Sequence, residues 1–248
     1  MRGEAATLSF FSNGQYTNPM IVRIAGLGYQ KGFGGHFHND NSLAIFRDIP
    51  GLILAVPSNG ADAVEMLREC VRLAREEQRV IVFVEPIALY MTRDLHEKDD
   101  ALWTATYDAP GSAKPVRLGE VGVHGKGKDL AIVTYGNGYY LSRQAEKLLA
   151  DAHKVKARVI DLRWLAPLPE AALLEVVKGC EKILIVDECR RTGSQSEALM
   201  ALFAEQMPDT PTARLTADDS FIPLGRAATL TLPSRDSIVD AALELVRG

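Results

Sequence analysis

GLILAVPSNGADAVEMLRECVRLAREEQRVIVFVEP, residues 51–86, decides the fold. Its ends, GLILAVPS (51–58) and RVIVFVEP (79–86), are short, nearly continuous apolar runs rich in β-branched residues and punctuated by Gly or Pro. That is the pattern of strands covered on both faces. Between them, ADAVEMLRECVRLAREE places Val64, Leu67, Val71 and Ala74 at i, i+3, i+7 and i+10, which predicts one apolar helical face. A strand, a helix and a second strand in this order form a crossover unit, because parallel strands cannot be joined by a tight hairpin.

The same alternation extends outward. PMIVRIAG (19–26) supplies a strand before the unit, and DLAIVTYG (129–136), ARVIDLRWL (157–165) and KILIVDE (182–188) supply three after it. Leu141, Ala145, Leu148, Leu149 and Ala152 give the face of a helix between the first two of these, and Ile238, Ala242, Leu245 and Val246 give that of a closing amphipathic helix. Ser194 and Glu197 have the S-x-x-E spacing of a capping box and predict a helix start. From Leu95 to Lys128 the periodicity fails amid Gly, Pro and charge, which marks a linker. The expectation is an α/β protein with two doubly wound, mostly parallel sheets, divided as residues 1–107, a linker at 108–127, and residues 128–248.

Composition narrows the function. The chain has 248 residues, 47% hydrophobic and 24% charged, with a formal net charge of -4 and its basic residues interleaved with acids, so no nucleic-acid footprint appears. MRGEAATLSFFSNGQ lacks the apolar core of a signal peptide, and no stretch approaches the ~20 apolar residues of a membrane span. A cytoplasmic protein without membrane partners is expected. Cys70, Cys180 and Cys189 have no CxxC spacing, which argues against disulfides and structural zinc.

The chemistry-bearing residues gather in AGLGYQKGFGGHFHNDNS, residues 25–42. Gly26, Gly28, Gly32, Gly34 and Gly35 fit neither phosphate-loop spacing, so they are read as positive-φ turns in a chain that passes close to something else. His36 and His38 alternate with Phe37 and face one side of an extended segment. Three readings stand: a solvated loop, a metal site with Asp40 as a third ligand, or a catalytic imidazole titrating near neutral pH. GNGYY (136–140) is a strand-to-helix turn, either a packing device or a ligand seat. Arg190 and Arg191 in DECRRTGSQSE suit an anion or, as the preferred reading, acids across a subunit interface.

The ordered series GGHFHNDNSLAIFRDIPGLILAVPSNGADA, VIVFVEPIALY, LAIVTYGNGYYLSRQAEKLL, VIDLRWLAPLPE, ILIVDECRRTGSQSEAL and LPSRDSIVDAAL resembles the beta subunit of thiamine diphosphate-dependent 2-oxo acid dehydrogenases, in the transketolase-like superfamily. The resemblance runs from about Glu4 to the C-terminus. It implies an incomplete pyrimidine-binding domain followed by a transketolase C-terminal domain. The implied activity is oxidative decarboxylation of a 2-oxo acid with transfer of the acyl group to a lipoyl carrier. The implied partners are an alpha-type diphosphate-binding domain or subunit, a lipoyl acyltransferase component and further copies of the chain.

His38 matches the histidine of the family's Gly-rich loop, which faces the reacting centre, although Asn39 and Asp40 stand where Ser and Gln are usual. The resemblance therefore names His38 as the catalytic residue, and no metal ligand. Glu85, Pro86, Leu89 and Tyr90 match a strand-end EP-x-x-LY pattern read as structural. Two features depart from the family. The family's first domain begins well before this chain does, and that missing part carries the glutamate that activates the cofactor's aminopyrimidine. Glu77, Gln78, Arg79 and Val80 replace a stretch tied to a monovalent cation, and a guanidinium there opposes an ion. A shortened chain is expected, using thiamine diphosphate and magnesium in the complete enzyme and binding neither alone. The rivals are aldehyde transfer of the transketolase type, and a non-catalytic dimerisation or docking module; VIDLRWLAPLPE and DECRRTG favour the dehydrogenase.

Overall fold

The computed structural model of the chain describes residues 4–29 and 40–248. The elements in order are α1 (Leu8–Phe11), β1 (Met20–Gly26), α2 (Ala44–Arg47), β2 (Leu52–Ala55), α3 (Gly60–Glu76), β3 (Val80–Pro86), β4 (Gly122–His124), β5 (Leu130–Thr134), α4 (Gly136–His153), β6 (Ala157–Asp161), β7 (Trp164–Ala166), α5 (Glu170–Val177), β8 (Ile183–Arg190), α6 (Gln195–Gln206), β9 (Thr212–Ala217) and α7 (Arg235–Arg247). They form two mixed, mostly parallel sheets, with strand orders β1-β3-β2-β7 and β4-β6-β5-β8-β9.

The crossover unit at 51–86 folds as its pattern dictates. β2 and β3 pair in parallel, Leu52 opposite Val80, and β1 joins the other edge of β3. Successive side chains of a strand point to opposite faces. Accordingly Leu52, Leu54, Val80, Val82 and Val84 enter one core, while Ile53, Ala55, Ile81 and Phe83 enter another beneath α3. The first core continues into Val133, Ile160, Ile185 and Phe203, so one apolar layer joins the two sheets. A third core packs α4 and α7 on the second sheet through Ala145, Leu149, Ile238 and Ala242. Among the described residues no helix is long and apolar enough to cross a membrane, and Cys70, Cys180 and Cys189 are buried free thiols.

Several local expectations need correction. ARVIDLRWL is two strands: β6 ends at Asp161, Arg163 takes φ +60, and β7 pairs antiparallel with β2 in the first sheet. A continuous apolar run hides that break, because both halves are buried. The inner face of α3 is Met66, Cys70, Leu73 and Ala74, with Asp62 and Glu69 beside them, whereas Val71 is exposed. Carboxylates sit on that face because distant arginines reach them: Arg163 Nη2 lies 2.7 Å from Asp62 and Arg117 Nη1 lies 2.7 Å from Glu69. In α4, Leu148 is likewise exposed.

Helix α6 starts where Ser194 foretold, but without a capping box. The Ser196 N–H donates to Asp187 Oδ2 at 2.7 Å, and Glu197 lies 3.9 Å from Arg214. A serine pair, Ser234 and Ser237, builds a capping box at α7 instead. The aperiodic stretch after Leu95 is tied down by Asp100, whose carboxylate accepts the N–H groups of Leu95, His96 and Glu97. Within 108–127, β4 pairs antiparallel with β6.

The glycines of the β5–α4 turn are there for space. A Cβ on Gly138 would stand 2.2 Å from Thr134 Oγ1, and Gly136 has φ +56. Gly138→Ala is expected to cost about 2–3 kcal/mol by overpacking, well beyond the gain in helix propensity. In urea unfolding, the pair Gly138→Ala with Thr134→Ala should recover most of the loss incurred by Gly138→Ala; simply additive costs would contradict the clash.

Candidate active site

The parallel strands of the first sheet point their C-terminal ends, at Gly26, Ala55 and Pro86, to the edge where open α/β sheets bind ligands, β2 stopping level with Phe83. The segment rich in glycine and histidine leaves β1 at this edge. His36, His38, Asn39, Gly32, Gly34 and Gly35 lie outside the described residues, so the site is built from the limbs on either side.

On the entering limb, positive φ falls on Leu27 (67°) and Tyr29 (72°) and not on Gly26 or Gly28, contrary to the turn reading of those glycines. Gly28 instead serves close approach: a Cβ there would meet Leu232 Cδ1 at 2.8 Å. The Tyr29 hydroxyl donates to the Pro233 carbonyl at 2.9 Å. On the leaving limb, Asp40 receives Arg190 Nη2 at 2.8 Å, Ser42 Oγ receives Arg190 Nη1 at 2.7 Å, and Asn41 Nδ2 donates to the Glu188 carbonyl at 2.9 Å. Both limbs are thus fixed to the second sheet and its loops. Arg190, read as an interface residue, is committed inside the chain; the Arg191 carbonyl accepts from Arg214.

Beneath the limbs lies a buried polar seam that sequence reasoning missed. Consecutive residues on β8 face opposite ways, so Asp187 caps α6 while Glu188 caps α4. Glu188 Oε1 accepts the Asn137 N–H at 2.8 Å, and Oε2 accepts Asn137 Nδ2 at 2.7 Å. The Gly136 N–H donates to Ser58 Oγ at 2.8 Å, joining the first sheet to the helix. Two acids ending the apolar run KILIVDE were the available signal, since acids adjoining a fully buried strand need internal partners.

Burial, reinforced by like charge, disfavours ionisation here. Burial and then the neighbouring Asp187 charge push the Glu188 carboxyl up to about 8, against hydrogen bonds from Asn137 and Gly138. Burial and then Asp62 push Asp161 up to about 7. Folded-state values above the unfolded values of roughly 4 mean that the folded state holds more protons in between. The resulting stability is fully present below about pH 4 and is lost as pH rises through 7 and 8. Melting temperature should therefore fall from pH 5 to pH 8.5, and Asp161→Asn should flatten the slope. A melting temperature that stays level or rises across that window would refute the seam's role.

In the EP-x-x-LY pattern, Glu85 and Tyr90 are hydrogen-bonded to each other. Glu85 Oε1 receives Arg23 Nε at 2.5 Å and Oε2 receives the Tyr90 hydroxyl at 2.6 Å, at the edge of a cleft of about 560 Å³. Burial raises the Glu85 carboxyl, but these two partners outweigh it and hold the group low. At the stretch expected to oppose a cation, Glu77 takes Arg72 at 2.9 Å and the Arg79 guanidinium reaches the Gly51 carbonyl at 3.5 Å.

Among the described residues, the first N–H groups of three helices are already taken by side chains. The N-termini of α4 and α6 already hold the Glu188 and Asp187 carboxylates, and Asn59 caps α3. A helix N-terminus whose first N–H groups are already taken has fewer donors to offer an anion. No group of three or more His, Cys, Asp or Glu side chains able to hold a metal ion occurs among the described residues.

Residues 119–238 match the family model for the transketolase C-terminal domain. A pyruvate dehydrogenase E1 component subunit beta from Staphylococcus aureus is 28% identical over 251 aligned positions, covering 98% of this chain and 70% of that one. A 2-oxoisovalerate dehydrogenase subunit beta from Bacillus subtilis is 30% identical over 221 positions, covering 87% and 61%. Among solved structures, a split-gene transketolase in an inactive beta4 tetramer matches with a TM-score of 0.66 at 19% identity, covering 93% of this chain and 67% of that one.

Proposed function

We propose that this chain, which carries a transketolase C-terminal domain at residues 119–238 within a transketolase-like fold, is part of a thiamine diphosphate-dependent component that oxidatively decarboxylates a 2-oxo acid. The acyl group then passes to a lipoyl carrier. One observation carries the reading: similarity to dehydrogenase beta subunits extends over 98% of the chain instead of being confined to one domain. The division into residues 1–107, 108–127 and 128–248 belongs to this proposal, with β7 lent by the last segment to the first sheet.

Thiamine diphosphate supplies the stabilisation of negative charge that decarboxylation requires. On this reading it is held by an alpha-type diphosphate-binding domain or subunit, the partner that similarity to dehydrogenase beta subunits implies. The chain's own contribution is the loop between Tyr29 and Asp40. The second sheet holds its limbs, and His38 gives or takes a proton at the reacting substrate. A lipoyl acyltransferase component and a further copy of the chain complete the partners of this reading.

The chain assayed alone with thiamine diphosphate, magnesium and a 2-oxo acid should be inactive, and the assembled component should turn over. Measurable turnover by the purified chain alone would show that it carries the whole site, against this reading.

A further inference from the structure

The cleft of about 560 Å³ opens beside the C-terminal ends of β2 and β3 and the first turn of α3, and the reading above does not use it. Its volume falls in the roughly 300–1,000 Å³ usual for small-molecule sites. Phe83 and Pro86 are buried in its lining, and Val64, Leu67 and Leu89 are half-buried there, which gives it an apolar floor. Two donors stand together beside that floor. The Trp103 backbone N–H donates to the Arg93 carbonyl at 2.8 Å, and both residues line the cleft. Trp103 is 9% exposed and is held edge-on against Tyr140, with ring centroids 5.0 Å apart. Neither its indole N–H nor the Arg93 guanidinium has a hydrogen-bond or ion-pair partner among the described residues, and the indole N–H is not sealed from water.

Arg93 stays unpaired although acids follow it in the chain, because those acids are committed inside their own loop. Asp94 accepts the N–H groups of Asp99 and Ala101, and Asp100 accepts those of Leu95, His96, Glu97 and Leu102. These bonds order the loop before any ligand arrives, which lowers the cost of binding. Glu85, the acid of the lining, is already held by Arg23 and Tyr90. Two guanidinium groups, Arg23 and Arg93, thus stand against one carboxylate. The cleft combines a surplus positive charge, a free N–H and an apolar floor.

We propose that this cleft binds a small amphipathic organic anion. The anionic group meets the Arg93 guanidinium and the Trp103 indole N–H, and the apolar body lies on Val64, Leu67, Phe83 and Leu89. The unpaired cation selects the charge, and the floor selects the body. The lining shares no residue with the limbs at Tyr29 and Asp40, and the site does not depend on the reaction assigned above.

Calorimetric titration of the chain tests it, with 4-phenylbutanoate as the probe, 4-phenylbutanamide as the same body without the charge, and acetate as the charge without the body. Saturation at one site by 4-phenylbutanoate, with each of the other two at least about tenfold weaker, is expected. Arg93→Gln, at an exposed position, and Leu67→Glu, which puts a negative charge on the floor, should each weaken binding about tenfold. The chain has two tryptophans, and Trp164 is 0% exposed. Fluorescence in a Trp164→Phe background therefore reports Trp103, whose emission should change along the same binding curve. No saturable binding of 4-phenylbutanoate up to about 10 mM, equal binding of the amide or of acetate, undiminished binding by folded Arg93→Gln, or saturation that leaves Trp103 emission unchanged would overturn the proposal.

Discussion

His38→Ala, introduced into the complete enzyme, should lower kcat by about 10² to 10⁴-fold while leaving cofactor binding nearly unchanged, the range expected when a positioned general acid or base is lost. The assignment rests on the match of His38 to the family's loop histidine. The residues on either side of that segment are anchored, Tyr29 to Pro233 and Asp40 to Arg190. His36 is the internal control, since it shares the loop and the side chain without the family match. Equal losses from His36→Ala, or a kcat within about twofold of the parent in His38→Ala, would mean that the loop is merely solvated and proton transfer lies elsewhere.

Glu188→Leu should destabilise the fold by about 3 kcal/mol or more. The substitution keeps apolar bulk but strands the N–H groups of Asn137 and Gly138 and the Asn137 amide in a site closed to water. Each stranded buried donor costs about 1–3 kcal/mol. Glu188→Gln makes the sharper comparison. Asn137 Oδ1 has no partner, so rotating that amide by half a turn would let it accept from the new glutamine N–H. Glu188→Gln should then stay within about 1 kcal/mol of the parent and flatten the decline of stability between pH 5 and pH 8.5. Urea unfolding that ranks Glu188→Gln as harmful as Glu188→Leu would contradict this account of the seam.

The architecture was legible where pattern and burial coincide. β2 and β3 bury both faces, and their continuous apolar runs say so. Features set by tertiary partners were not legible. Glu69 reads as a solvent-facing acid until Arg117, far along the chain, is seen against it. The run through Asp161 reads as one strand because Trp164 is as buried in the first sheet as Ile160 is in the second. Ser194 and Glu197 match a capping box, yet Asp187 from the neighbouring strand reaches the helix first. At the candidate site, His36 and His38 stand out by residue type alone and lie outside the described residues. The partners of the flanking limbs, Pro233, Arg190 and Glu188, lie far along the chain and leave no local signal.

The most direct test takes the chain in its native assembly, purified through its natural partners, and supplies 2-oxo acids with two alternative acceptors. With thiamine diphosphate and magnesium present, the account predicts 2-oxo acid-dependent release of carbon dioxide coupled to reductive acylation of a lipoyl domain, with no requirement for an aldehyde. Turnover that instead requires a sugar aldehyde and yields a lengthened ketose, with the lipoyl domain left unmodified, would contradict it and assign the chain to ketol transfer.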